Sequence, residues 1–290
     1  MHSYLQAIGF SNITKEELDQ LIYETIRKPD SHEVALDSDG NEFVEMDFEV
    51  CEHVGIAIRG VYDTNDNFKV DYYYPYCKGD VLSTNGELDI IKQSDKESYQ
   101  GFCDEIRLGV NLIFYLQNTI EYLQKEKGKH GYDGERFYRT YMTGLSLEGK
   151  ILLPIAEPTI KKTNKKTTDR ASLMAAAREG DENAIESLTL EDMDTYSMIS
   201  KRVVKEDIYS IVRTTFMPYG IESDKFSVIG EIKEFHKLTN YVTMEELYVM
   251  HLESNDIEFN VCINEKDLLG IPEIGRRFKG NIWMQGTVEF

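Results

Sequence analysis

The residues best equipped for chemistry lie near the end of the chain, where Arg276, Arg277 and Lys279 stand just ahead of Trp283, the only tryptophan. A cationic loop beside an exposed aromatic is what a single-strand binder uses, with the charges tracking phosphates while bases stack on the ring. The competing reading pairs these cations with nearby Glu253, Glu258, Glu265 and Glu273. Tyr72 and Tyr74, in the run Asp71-Tyr72-Tyr73-Tyr74-Pro75-Tyr76, offer flat faces with polar tips for sugars or bases. At strand spacing they equally suit a sheet edge or an interface. Glu49, Cys51 and His53 share one parity and could ligate zinc or another soft divalent ion, although no second Cys/His pair supports them. Gly144 to Ile151 approaches a phosphate-binding GxxxxGK[ST] loop but has Ile151 where the hydroxyl belongs. No nucleophile elbow, HExxH, DxDxDG or GxGxxG occurs, so no catalytic residue, metal site or cofactor is assigned.

Composition narrows the classes of partner. A formal charge of -20 repels a phosphate backbone from the molecule as a whole, which points to a basic, neutral or metal-bearing partner before a nucleic acid; a protein partner or a homo-oligomer is the expectation. Length is sufficient for two domains. Cys51, Cys77, Cys103 and Cys262 are widely spaced and read as reduced thiols. The first residues lack a basic region followed by an apolar one, and no apolar run is long enough to span a bilayer, so a soluble cytoplasmic protein is expected.

The elements that must position these residues begin with a helix from Lys15 to Arg27, capped by Thr14 with Glu17 and followed by Pro29. Val44, Met46, Phe48 and Val50 alternate with Glu45, Asp47 and Glu49, predicting a strand with one oily and one acidic face. Gly55 to Tyr62 and Phe68 to Tyr76 continue it as an antiparallel meander. Residues 78–100 read as a loop. Alternation from 106 to 117 predicts a strand, with a helix over 104–127 as the competitor, and Tyr141 to Ser146 with Lys150 to Ile155 predicts a hairpin. Lys161, Lys162, Lys165 and Lys166 form a basic linker, and the following residues read as a helical hairpin joined at Gly180.

Beyond it, Ile208 to Val212, Phe226 to Ile232, Glu246 to Leu252, Ile257 to Ile263 and Ile282 to Phe290 predict about five short strands. Their length suits an OB-like small β-barrel, with Trp283, Gln285, Thr287 and Glu289 facing outward. The fold class is therefore α+β. Residues 1–160 form an N-terminal antiparallel sheet with helices, 161–205 a linker and helical connector, and 206–290 the barrel.

The opening Met1 to Phe10, the stretch Leu112-Ile113-Phe114-Tyr115-Leu116-Gln117-Asn118 and the ending Gly275 to Gly286 resemble a full-length, functionally uncharacterised family from clostridia-type Gram-positive bacteria. That resemblance implies a bacterial protein of this length and transfers no activity or site. The function expected from the residues is non-enzymatic binding or scaffolding. The alternatives are oligonucleotide or oligosaccharide binding around Trp283, and a metal-dependent enzyme on Glu49, Cys51 and His53.

Overall fold

The computed structural model describes residues 1–63, 65, 67–93, 96–105, 107–128, 137–155, 166–203 and 207–290. Helix α1 (Lys15–Arg27) has the expected capping box, in which Thr14 Oγ1 accepts from Glu17 N at 3.2 Å and Thr14 N donates to the Glu17 carboxylate at 2.8 Å. The helix packs on the second strand of a four-stranded antiparallel meander, β1 (Ser31–Leu36), β2 (Glu42–Cys51), β3 (Val54–Tyr62) and β4 (Phe68–Cys77). Aspartates set its longer turns: Asp37 Oδ1 accepts from the amides of Asp39 and Asn41, and Asp63 Oδ1 from those of Asn65 and Asn67.

The second sheet has ten strands: β5 (Leu82–Lys92), β6 (Tyr99–Glu105), β7 (Val110–Leu116), β8 (Phe137–Leu152), β9 (Thr215–Pro218), β10 (Lys225–Thr239), β11 (Glu246–Ser254), β12 (Ile257–Asn264), β13 (Leu268–Leu269) and β14 (Arg277–Glu289). It closes on itself. β10 pairs with β11, β11 with β12, β12 with β8, β8 with β14 and β14 again with β10, and within this ring only β12–β8 is parallel. A second ring, β8–β5–β6–β7–β14, shares the β8–β14 pair. Long β10 serves three neighbours, running between β9 and β14 in its first part and along β11 from Glu231 onward. Strands on both sides of residues 161–205 thus contribute to one sheet.

The fold is mostly β with helices, and several local expectations change. Residues 78–100 contain β5 rather than a continuous loop, because Leu82 and Thr84 to Glu87 pair with β8 and Leu88 to Lys92 with β6. The expected hairpin over 141–155 is one long strand, β8, whose Gly149 stays in register against Gly280 of β14 instead of turning. Ile208–Ile211 is a short helix, α5, capped by Asp207 through Tyr209 N at 2.7 Å, in place of the strand expected there. Val110–Leu116 is the predicted strand, followed by α2 (Thr119–Gly128). The helical hairpin comprises α3 (Lys166–Arg178) and α4 (Glu182–Val203), joined at Gly180 with φ +91. Lys161, Lys162 and Lys165 lie outside the described residues.

Two apolar clusters hold these parts together. One fills the rings, with Phe226, Met250, Phe259, Ile282 and Met284 among its members. The other lies between the ring's outer face and the meander. It joins Leu145, Leu247, Cys262 and Trp283 to Val54, Ile56, Tyr74 and the 3-10 helix Ser3–Ile8.

Candidate functional site

Alternation along β14 sends Ile282 and Met284 into the ring and Trp283 out of it, as predicted. Outward is not exposed, however: Trp283 keeps only 7% of its surface and Gln285 none. The expected solvent-facing side of the strand is covered because the ring's outer face is itself an interface. Gln285 Nε2 donates to Pro75 O of the meander at 2.8 Å, and Gln117 Nε2 to Gln285 Oε1 at 2.8 Å. Around Trp283 stand the rings of His2, Tyr4 and Tyr115, with centroids at 4.9, 5.3 and 5.4 Å. These come from the chain's first residues and from β7.

A cleft of about 550 Å³ opens beside these rings. Its other wall is polar. Asp224 Oδ2 accepts from Trp283 Nε1 at 2.9 Å and from Gln100 Nε2 at 3.2 Å, while the Asp224 carbonyl accepts from Met284 N at 2.8 Å. The carboxylate is thus held by two donors and its backbone by a third. Lys225 forms an ion pair with Glu222, which raises its pKa, and its ammonium lies 5.5 Å from the centroid of the Tyr4 ring. Burial, with Lys225 nearby, lowers the His2 pKa to about 4, so the imidazole is neutral at pH 7, and its Nδ1 is buried with no hydrogen-bond partner. Aromatic faces, a fixed carboxylate and a neutral imidazole suit the arrangement to holding a ligand. A second cleft, of about 450 Å³ between α1 and residues 242–245, has acids already consumed: Glu17 by the capping box and Glu245 by Ser11, Asn264 and Lys266.

The three terminal cations do not gather at Trp283. Arg277 is buried and donates to the carbonyls of Leu153, Val212 and Tyr209 at 2.6 to 3.0 Å, binding α5 to the ring. Arg276 pairs with Glu273 at 2.7 Å. Lys279 hydrogen-bonds the Tyr209 hydroxyl, with its ammonium 4.3 Å from the centroid of that ring.

Tyr72 and Tyr74 converge on Arg59. Its guanidinium, with no exposed surface, pairs through Nε with Glu45. Its other nitrogens donate to the hydroxyls of Tyr72, Tyr74 and Tyr115 and of Thr119 at 2.9 to 3.1 Å, and to Gln117 O. Arg59 has spent its donors and welds the meander to β7. The expected acidic face of β2 is therefore not solvated, since Glu45 and Asp47 are both buried. Burial raises the Glu45 pKa against the opposing pull of Arg59, and Arg59, held by Glu45, stays protonated.

Glu49, Cys51 and His53 do not form a trio on one strand. β2 ends at Cys51 after an irregularity, and His53 sits in the tight turn at φ +61. Among the described residues no group of three or more His, Cys, Asp or Glu side chains is arranged to hold a metal. All four cysteines are free, and burial pushes the Cys51 and Cys103 thiols up to about 12. No helix among the described residues is long and apolar enough to cross a membrane.

A family model described as "Domain of unknown function, E. rectale Gene description (DUF3881)" matches residues 5–286. The chain belongs to DUF3881. The match spans nearly the whole sequence, as the resemblance of its opening, middle and ending implied. No curated protein and no solved structure matches it.

Of the cleft in this DUF3881 chain, the sequence exposed Trp283 alone. Arg59 had a legible signal, a single charge inside Gly55-Ile56-Ala57-Ile58-Arg59-Gly60-Val61 beside a strand carrying Glu45. A buried charge demands such a partner. Asp224, Gln100 and His2 had none, because they sit in ordinary polar surroundings and meet only through the fold.

Proposed function

We propose that this chain is a non-enzymatic binding protein that holds a small, flat, polar ligand in the cleft beside Trp283. The observation that carries the reading is the cleft itself: four aromatic rings facing a carboxylate held in place by the indole and by Gln100. Its volume lies within the range of small-molecule sites, about 300–1,000 Å³.

The ring supports the reading at the level of architecture. Taking β10, β11, β12 and β14 as strands one to four and β8 as strand five, the pairings follow an OB-type barrel entered at its fifth strand, with the single parallel pair between strands three and five. Such barrels bind ligands over strands two and three. Here that face meets the 3-10 helix: Cys262 Sγ is 3.5 Å from Ala7 O, and Asn264 Nδ2 donates to Gln6 O at 3.3 Å. The Trp283 cleft opens beside this helix, with Ser3 and Tyr4 in its lining. An extended oligonucleotide is disfavoured, since Arg276, Arg277 and Lys279 are engaged within the chain. A sugar or nucleoside unit fits the space.

The test uses the emission of Trp283, excited selectively over the tyrosines, with monosaccharides, nucleosides, amino acids and amines as probes. The reading expects at least one class to shift or quench the emission saturably, and the effect to vanish in Gln100→Ala. Emission indifferent to every class would overturn it.

A further inference from the structure

Resting on that reading of the Trp283 cleft, we propose that its ligand is a small organic cation, a protonated amine attached to a flat or compact apolar body. The wall fixed against the indole leaves carboxylate and amide oxygens open to the cleft. Both side-chain hydrogen bonds to Asp224 land on Oδ2, which leaves Oδ1 without a partner among the described residues. Gln100 Oε1 receives only a long bond, 3.4 Å, from Ser223 Oγ. Neutral His2, whose Nδ1 has no partner among the described residues, offers one donor and one acceptor nitrogen. The one cationic side chain lining the cleft, Lys225, is already paired with Glu222. A ligand that satisfies this wall must bring N–H or O–H groups.

Charge then chooses between them. Among the described lining residues Glu222 and Asp224 outnumber Lys225, and His2 is neutral at pH 7, so these side chains carry one net negative charge. An anion is repelled, a neutral hydroxyl gains an ordinary hydrogen bond, and an ammonium gains a charge-assisted one. The rings act in the same direction, because their negative faces attract cations. Tyr4 already demonstrates the preference: the ammonium of Lys225 lies 5.5 Å from its centroid. A ligand ammonium at Asp224 Oδ1 would neutralise the excess charge.

The experiment compares three probes by titration calorimetry and Trp283 fluorescence: phenethylamine, its neutral counterpart phenethyl alcohol, and phenyl phosphate. The amine is expected to bind at least about tenfold more tightly than the alcohol, and the phosphate not at all, a factor corresponding to about 1.4 kcal/mol. Asp224→Asn keeps an oxygen for the indole and Gln100 while removing the charge, so it should erase the amine's advantage over the alcohol. Glu222→Gln, which leaves the charge of Lys225 unopposed, should weaken the amine without touching the Asp224 anchor. Alcohol binding equal to amine binding, or an advantage that survives Asp224→Asn, would overturn the cation proposal and leave the cleft standing as a site for neutral ligands. If no probe binds and the broader panel also leaves Trp283 unmoved, the site reading falls and the cation proposal falls with it.

Discussion

Replacing Arg59 with methionine tests whether the weld between the two sheets is electrostatic. The substitution roughly preserves the length of the apolar stem and removes the whole guanidinium. It strands Glu45 in a buried position and withdraws the donors that Tyr72, Tyr74, Tyr115, Thr119 and the Gln117 carbonyl accept from. Breaking one side of a buried ion pair costs about 3–5 kcal/mol, whereas replacing both partners with apolar groups is often close to neutral. Arg59→Met should therefore lose about 3–5 kcal/mol in urea unfolding at pH 8. At roughly 2 °C per kcal/mol for a chain of this size, that is a drop of about 6–10 °C in Tm. Adding Glu45→Met should recover more than half. The pH dependence carries a further sign. Burial already raises the Glu45 pKa, and without Arg59 nothing opposes that rise. The folded variant then takes up a proton that the unfolded chain does not, so its stability increases as pH falls and its deficit against the parent shrinks from pH 8 to pH 5. A single variant within about 1 kcal/mol of the parent, or a double variant no better than the single, would refute an electrostatic weld.

Three further outcomes follow from other parts of the structure. Trp283 in the free protein should emit toward the blue and resist acrylamide, because it is 7% exposed and surrounded by rings; a red, readily quenched signal would contradict the covered outer face. Gly101→Ala should cost about 1–3 kcal/mol, since a Cβ there would sit 2.2 Å from Phe114 Cζ, and Phe114→Leu should partly rescue it; a neutral Gly101→Ala in thermal melts would show that the ring has room. Burial works against the charge of Glu97, but Lys92, Ser38 and Tyr99 hold its pKa at about 2. With a folded pKa below the unfolded value near 4.5, its contribution is full above that pH and lost as pH falls from there to about 2. Glu97→Gln should therefore flatten the acid limb of a Tm-against-pH curve, and identical limbs would remove Glu97 from the account.

Legibility in the sequence tracked how local each signal was. α1 was fully readable, because Thr14, Glu17 and the apolar spacing lie within a few turns of one another. The meander was readable because aspartate-led turns separate its strands. β8 was misread as a hairpin because Gly149 looks like a turn when its neighbours are unknown. In place, a Cβ at Gly149 would sit 2.4 Å from Phe278, so the glycine makes room for a ring from β14. Ile208–Ile211 was misread as a strand because an apolar run that short has no period to distinguish strand from helix. Trp283 was placed on the correct face of β14, but its exposure depends on residues 2, 4 and 115, which no local pattern connects to it.

Tyr115 links the two polar features. Its hydroxyl accepts from Arg59 at 3.1 Å while its ring lies 5.4 Å from that of Trp283, so one side chain belongs both to the inter-sheet weld and to the wall of the cleft. The weld thereby sets the position of an aromatic wall that a ligand would meet. Two consequences separate this from mere proximity. Disturbing Arg59 should loosen the cleft even though Arg59 does not line it, and filling the cleft should stabilise the weld by mass action. The outer face of the closed ring is given over to packing against a second sheet, and the Trp283 cleft opens where that packing stops. There Asp224 is held by Trp283 Nε1, Gln100 Nε2 and the Met284 amide, which lends a shallow cleft the rigidity that selective binding requires.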